Sequence, residues 1–194
     1  MPMIKNRYER IIGIGFTATT YAMDGIKSFG LPQKSTIWNL PVEKIDPRIH
    51  GWLALRGIMV HHAEIFYTAP RWSTAIHADG SRLDEHVKLN WAYGAASSRM
   101  CWYNDNKGGL GYTTAKTRIG TEYYRWDPAD CDMAWSANIG QPSLVNVGGP
   151  HNIVNDTDEG RWCMSLVLKH RSTNELVQWD QAIDIFNPFV VDRR

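Results

Sequence analysis

Nowhere in the 194 residues does an apolar run reach about 18 without a charge, which on length excludes a membrane-spanning helix. Charge of one sign is missing too. Lys plus Arg number 21 against 20 Asp plus Glu, so no surplus exists to hold a phosphate backbone or an anionic membrane, and neither is an expected partner. Cysteine is scarce: Cys101, Cys131 and Cys163 are odd in number, far apart and without a C-x-x-C pair. That argues against a zinc ribbon or a redox motif and for reduced thiols in the cytoplasm. The opening stretch MPMIKNRYERIIGIGF scatters charge through its apolar residues, so no secretory signal is expected and the sequon Asn155-Asp156-Thr157 is read as noise. The GIGF at 13–16 lacks the third glycine and following helix of a dinucleotide fingerprint, and reads as a turn.

What is present is ordinary globular composition, 43% apolar and 21% charged, in a length that suits one domain over 1–194. Residues 1–45 mix short apolar runs with glycine and proline and read as an N-terminal wrap or lid. Asp46 followed by Pro47 is an N-cap with proline at the first helical position, and Gly57 is a stop, so residues 47–56 read as a short helix burying Ile49, Trp52, Leu53 and the Arg56 stem. From Ile58 the chain changes character. The runs IMVHHAEIFYT, WSTAIHA, VKLNWAYG, SRMCWYN, SLVNV and RWCMSLVLKH are short, aromatic and β-branched, which predicts a mainly β core over 58–170 closed as a barrel or jelly roll. The stretch 104–122 reads as a long polar loop, and VQWDQAIDIFNPF near the C-terminus fits helix or strand.

Chemistry concentrates at His77-Ala78-Asp79. In a strand, residues i and i+2 share a face, which brings an imidazole and a carboxylate together. A third ligand is offered by His151, placed in the turn GGPHNIVN after SLVNV. Two imidazoles and one carboxylate form the facial triad of non-haem iron(II) oxygenases, with positions left open. Alone, H-x-D is a common spacing. Arg161, ten residues after His151 and at the head of RWCMSLVL, changes its weight, because a guanidinium pairs bidentately with a carboxylate. Arg161, Cys163, Ser165 and Val167 share one face of that strand, and the apolar Trp162, Met164, Leu166 and Leu168 share the other.

H-A-D, a later histidine and an arginine ten residues on resemble the signature of the 2-oxoglutarate- and iron(II)-dependent oxygenase superfamily. The text FYTAPRWSTAIHADG, VKLNWAYG, MCWY, LVNVGGPHNIVN and RWCMSL, within residues 58–168, is similar to the aspartyl/asparaginyl and prolyl hydroxylase branch, including small phage-encoded members acting in a host cell. The aspartyl/asparaginyl β-hydroxylases proper often lack the carboxylate that Asp79 supplies. The resemblance implies a double-stranded β-helix, cupin-like, with a few flanking helices. It implies that His77, Asp79 and His151 bind Fe(II) and that Arg161 anchors the far carboxylate of 2-oxoglutarate, with Asn90 and Ser165 as further cosubstrate contacts. It further implies an O2-consuming hydroxylation of an unactivated C–H bond in an amino-acid or peptidyl side chain, with no catalytic residue beyond the metal ligands.

Other readings stand beside this one. Arg161 can instead pair with Asp156, Asp158 or Glu159 in the preceding turn. His61 and His62 are neighbours facing opposite sides of a strand, one expected in the core and one at the surface. His86 and His170 read as surface histidines, and Trp91, Trp102, Tyr103, Trp126 and Trp135 as core or cavity wall. A cupin-like isomerase or dioxygenase that ignores 2-oxoglutarate is the alternative function, and a β-barrel binding module with a vestigial site is a third. Substrate and oligomeric state are not written in the sequence.

Overall fold

Strands of alternating character build the computed structural model, which describes residues 7–15, 32, 34–79, 86–117, 120 and 122–191. In chain order these are β1 (Glu9–Ile11), β2 (Thr36–Leu40), helix α1 (Pro47–Ala54), β3 (Ile58–Thr68), β4 (Trp72–Ser73), β5 (His77–Ala78) and β6 (Val87–Tyr93). There follow β7 (Arg99–Asp105), β8 (Tyr112–Lys116), β9 (Glu122–Trp126), β10 (Cys131–Ala137), β11 (Ser143–Asn146), β12 (His151–Asn155), β13 (Arg161–His170) and helix α2 (Trp179–Phe186). Six strands form one antiparallel sheet in the order β1-β11-β6-β13-β3-β2, and a second sheet runs β10-β7-β12-β5-β9-β8 with β4 also on β12.

From β3 onward the chain crosses repeatedly between the sheets: β3 in the first, β4 and β5 in the second, β6 back, β7 to β10 across, β11 back, β12 across and β13 back. This winding is a double-stranded β-helix, or jelly roll, as the sequence predicted. Among the described residues no helix is long and apolar enough to cross a membrane.

The main apolar core lies outside the roll, between the first sheet and the helices. Ile65, Leu89, Trp91, Met164, Leu166 and Leu168 project there and meet Ile49 and Leu53 of α1 and Trp179, Ala182 and Phe186 of α2. The Asp46 carboxylate accepts from the Arg48 backbone amide at 2.9 Å and caps α1, while the helix stops before Gly57 at φ +71°. Trp52 stacks on Phe186 at 5.4 Å, and the Arg56 guanidinium lies 4.0 Å over Trp52, so the apolar stripe read from the sequence is the packed one. The ambiguous C-terminal run is helical because Trp179, Ala182 and Phe186 fall on one side, and Gln178 with Gln181 supplies a reciprocal cap.

Three expectations need correction. The stretch 104–122 is not one loop: β8 and the start of β9 form a hairpin there, and its largely exposed, polar residues conceal the strand period. Neither His61 nor His62 enters the apolar core. Val167 pairs with His62 but Leu168 pairs with Val60, so His61 is the extra residue of a β-bulge and is exposed. The bulge switches the parity, placing His62, Glu64, Phe66 and Thr68 on the inner face. Trp135 is 40% exposed on the edge strand β10 rather than core. The described parts of the N-terminal region add β1 and β2 to opposite edges of the first sheet; residues 16–31 and 33 lie outside the described residues.

Candidate metal centre

Strand pairing brings the two histidines together. His77 on β5 lies in register with His151, which opens β12 rather than sitting in a turn, and their ring centroids are 4.4 Å apart. Asp79 follows β5 by one residue, its backbone amide donating to Val147 O at 2.9 Å. The His77 Nδ1 donates to Ala75 O at 2.9 Å and His151 Nδ1 to Gly149 O at 2.9 Å. A carbonyl can only accept, so both rings carry their proton on Nδ1 and turn the Nε2 lone pair inward. Asp79 Oδ1 lies 3.4 Å from His77 Nε2 and 3.8 Å from His151 Nε2. The three ligand atoms fall within 4.8 Å of one another, the one such His/Cys/Asp/Glu cluster among the described residues.

Electrostatics favour the ligand forms. Burial first, then the neighbouring His77 and Lys88, push His151 down to about 3 against the pull of Asp79, so the ring is neutral. Burial works to raise Asp79, but the interactions led by the Lys88 ammonium outweigh it and hold the carboxyl well below its usual range. Lys88 Nζ lies 2.8 Å from Asp79 Oδ2 and 3.1 Å from Glu64 Oε2. Burial would lower Lys88, yet the two carboxylates raise it, and it remains an ammonium.

A cavity of about 400 Å³ extends from the triad between the sheets, lined by Phe66, Asn90, Met100, Arg161, Cys163 and Ser165 among others. A second chamber of about 360 Å³ shares His77, Asp79 and Lys88 and continues past His62, Glu64 and His86. His86 is 6% exposed, so its expected surface position is wrong. It bridges to Gln178 as the chain leaves β13 for α2. His170, by contrast, lies at the surface end of β13 with Nε2 3.0 Å from Gln181 Oε1.

Arg161 is 2% exposed, and its Nη2, with Asn90 Oδ1 and Ser165 Oγ, is buried without a hydrogen-bond partner. Ser165 and Asn90 are direct neighbours across β13 and β6. The turn acids do not claim Arg161: Asp156 pairs with Arg99 at 2.9 Å and Asp158 with Arg71 at 2.8 Å. Buried polar atoms of this kind cost about 1–3 kcal/mol each, and a guanidinium and a hydroxyl converging on one cavity fit an anionic guest.

Backbone packing fixes where Arg161 starts. At Gly160 an added Cβ would lie 2.3 Å from the Tyr67 ring, and at Gly94 (φ +67°) 2.5 Å from Gly160 O, so only glycine lets these segments close together. Asn155, the residue of the discounted sequon, is 1% exposed. Its side-chain amide donates to Ala69 O at 3.0 Å and Glu159 O at 2.7 Å, tying the turn between His151 and Arg161 to the end of β3.

The sequence reading missed Glu64 and Lys88. A signal was available: Lys88 lies two residues before Asn90 in VKLNWAY, a charge where strand alternation demands an inward side chain. Tyr123, edge-on to His77 at 5.9 Å, was also unmarked because it follows the stretch taken as a loop.

No family model and no curated protein sequence matches the chain. Solved structures do. The carbocyclase SnoK of nogalamycin biosynthesis, described as non-haem and α-ketoglutarate dependent, matches at TM-score 0.43 and 14% identity over 78% of this chain and 74% of its own. HygX from Streptomyces hygroscopicus, with nickel and 2-oxoglutarate bound, matches at TM-score 0.43 and 12% identity over 74% and 73%. A recombinant oxalate oxidase matches at TM-score 0.35 and 13% identity over 84% of this chain and 63% of its own, and the chain spans only 34% of one further matched protein. Likeness this low transfers no activity.

Proposed function

We propose that the protein is an iron(II)- and 2-oxoglutarate-dependent oxygenase that hydroxylates an amino-acid or peptidyl side chain. One observation carries the reading: a two-histidine, one-carboxylate cluster opens onto a cavity that holds a buried arginine with an unpartnered Nη2. The donor set N2O with open positions suits a non-haem iron(II) site, and a guanidinium in the same cavity suits the second carboxylate of a dicarboxylate cosubstrate.

His77, Asp79 and His151 would hold the metal. Arg161 would pair with the far carboxylate of 2-oxoglutarate, and Ser165 and Asn90 would complete that grip, the Asn90 amide presenting whichever end the guest requires. When bound, iron(II) and 2-oxoglutarate would supply, with O2 as oxidant, decarboxylation to succinate and CO2 coupled to hydroxylation of an unactivated C–H bond, chemistry that needs no protein general base. The chain's part is to position. Ile37, Phe66, Met100 and Ile153 form the apolar wall, limiting water near the reacting atoms, and the second chamber leaves room for a side chain beside the metal. Work inside the cell on a small molecule or a peptide fits the balanced charge.

Anaerobic addition of iron(II) and then 2-oxoglutarate is expected to produce the weak visible charge-transfer band of the chelate, and Arg161→Ala is expected to abolish it at the same cosubstrate concentration while still taking up metal. No band in the wild-type protein sinks the reading. Tight manganese or zinc binding that ignores 2-oxoglutarate points instead to a cupin-like metalloenzyme without that cosubstrate.

A further inference from the structure

Lys88 and Glu64 need an explanation that packing does not give. Their side chains are 8% and 9% exposed, and lysine and glutamate are rarely buried to that degree unless paired. A purely structural tie between β6 and β3 gains little from a buried ion pair, since apolar residues of the same size do as well or better. The geometry around Asp79 supplies the reason. Oδ1 faces the two Nε2 atoms at 3.4 and 3.8 Å, whereas Oδ2 is taken by the Lys88 ammonium at 2.8 Å. Lys88 in turn is held at 3.1 Å by Glu64, whose other oxygen lies 3.6 Å from the half-exposed His62.

We infer that Lys88 is a positioning residue for the metal carboxylate: it occupies Oδ2, so that Asp79 meets a metal through Oδ1 alone, and Glu64 supplies the charge that keeps the ammonium in place. The inference rests on the proposed metal site and concerns how that site is kept open. A carboxylate that binds through one oxygen uses one coordination position, and one that chelates uses two. With two histidines and a one-oxygen aspartate, a six-coordinate ion keeps three vacancies; a chelating aspartate would close one of them. Glu64 also prevents a lone buried cation from opposing a divalent ion nearby, since its negative charge offsets that of the ammonium. The Lys88 Nζ sits 5.6 Å from the Phe66 ring, a further contact that limits its swing.

The test uses cobalt(II) alone as probe, so that it does not depend on 2-oxoglutarate or turnover. Lys88→Met by itself leaves the buried Glu64 with only His62 at 3.6 Å and threatens the fold, so the decisive variant is Lys88→Met with Glu64→Gln, which removes one positive and one negative charge together. Thermal unfolding and circular dichroism establish that it folds. Its cobalt(II) affinity is expected to fall about 10- to 100-fold, the usual cost of losing a partner of a metal ligand, and its visible cobalt spectrum to change as Asp79 turns. Lys88→Arg, which keeps a donor on Oδ2, is expected to stay within a few-fold of the wild-type affinity with its spectrum. A folded double variant that matches wild type in both affinity and spectrum overturns the inference while leaving the metal site standing. Wild-type protein that takes up no cobalt(II) removes the metal reading and this inference with it.

Discussion

The two faces of the first sheet are made by the same strands and obey opposite rules. On the helix side, Leu89, Met164, Leu166 and Leu168 are between 0% and 3% exposed and lie in one apolar cluster. On the inner side, alternating with apolar residues along β3, β6 and β13, stand Glu64, Lys88, Asn90, Arg161 and Ser165, all 7% exposed or less and all polar. Hydrogen bonding separates them further. Lys88 and Glu64 satisfy each other, whereas Arg161 Nη2, Asn90 Oδ1 and Ser165 Oγ satisfy nothing. The outer face therefore holds the fold together and the inner face carries unspent binding capacity, a division expected where function is built at the expense of stability.

The largest effect that would test this division comes from the apolar face. Leu166, 0% exposed, sits between Ala63 and Leu89 in register. Leu166→Ala is expected to cost about 2–5 kcal/mol in chemical unfolding, because the cavity it leaves cannot close. The metal and cosubstrate affinities of the folded protein should not move. A loss of affinity comparable to the loss of stability would show that the faces are not separable.

An effect of intermediate size comes from acid. His151 is held at about 3 in the folded protein against an ordinary 6.5, so between these values the unfolded chain binds a proton that the folded chain refuses. Stability is then full above pH 6.5 and falls as the pH drops below it, by about 2 kcal/mol at pH 5. Metal-free wild type and His151→Asn, compared by thermal unfolding between about pH 7.5 and pH 5, should differ in slope, with the variant the flatter. Equal slopes would mean that His151 is not the neutral, buried ring described here.

Much of this arrangement was legible in the sequence, for reasons that mark where the legibility stops. Strand alternation correctly sorted Trp162, Met164, Leu166 and Leu168 from Arg161, Cys163 and Ser165, because a period of two leaves a side chain no choice of face once the strand exists. The clustering of His77, Asp79 and His151 and the nearness of Arg161 were visible because their spacing survives folding: His77 and Asp79 are local, and only β12 and one short turn separate His151 from Arg161. The inward position of Lys88 was legible from Asn90, but its pairing with Glu64 was not, because that partnership crosses from β3 to β6 with β13 between them, and because the bulge at His61 inverts the parity on which any assignment of His62 and Glu64 would rest. Strands β8 and β9 escaped because their inward face is written by Tyr112, Tyr124 and Trp126 alone, too few apolar residues among exposed polar ones to set a strand period.

The smallest effect is the most discriminating, since its two readouts have opposite signs. Ser165 is 1% exposed and its Oγ has no partner, so the empty protein bears the cost of a dehydrated hydroxyl. Ser165→Ala removes that atom with almost no change of volume. The metal-free, cosubstrate-free variant is expected to gain up to about 1 kcal/mol in unfolding free energy. Its affinity for 2-oxoglutarate is expected to fall roughly 5- to 10-fold, the same size of interaction lost from the bound state. On the outer face no substitution to alanine should behave so, because nothing there awaits a guest. If Ser165→Ala lost stability and kept its affinity, the hydroxyl would be an ordinary structural group, and the inner face would differ from the outer in polarity alone.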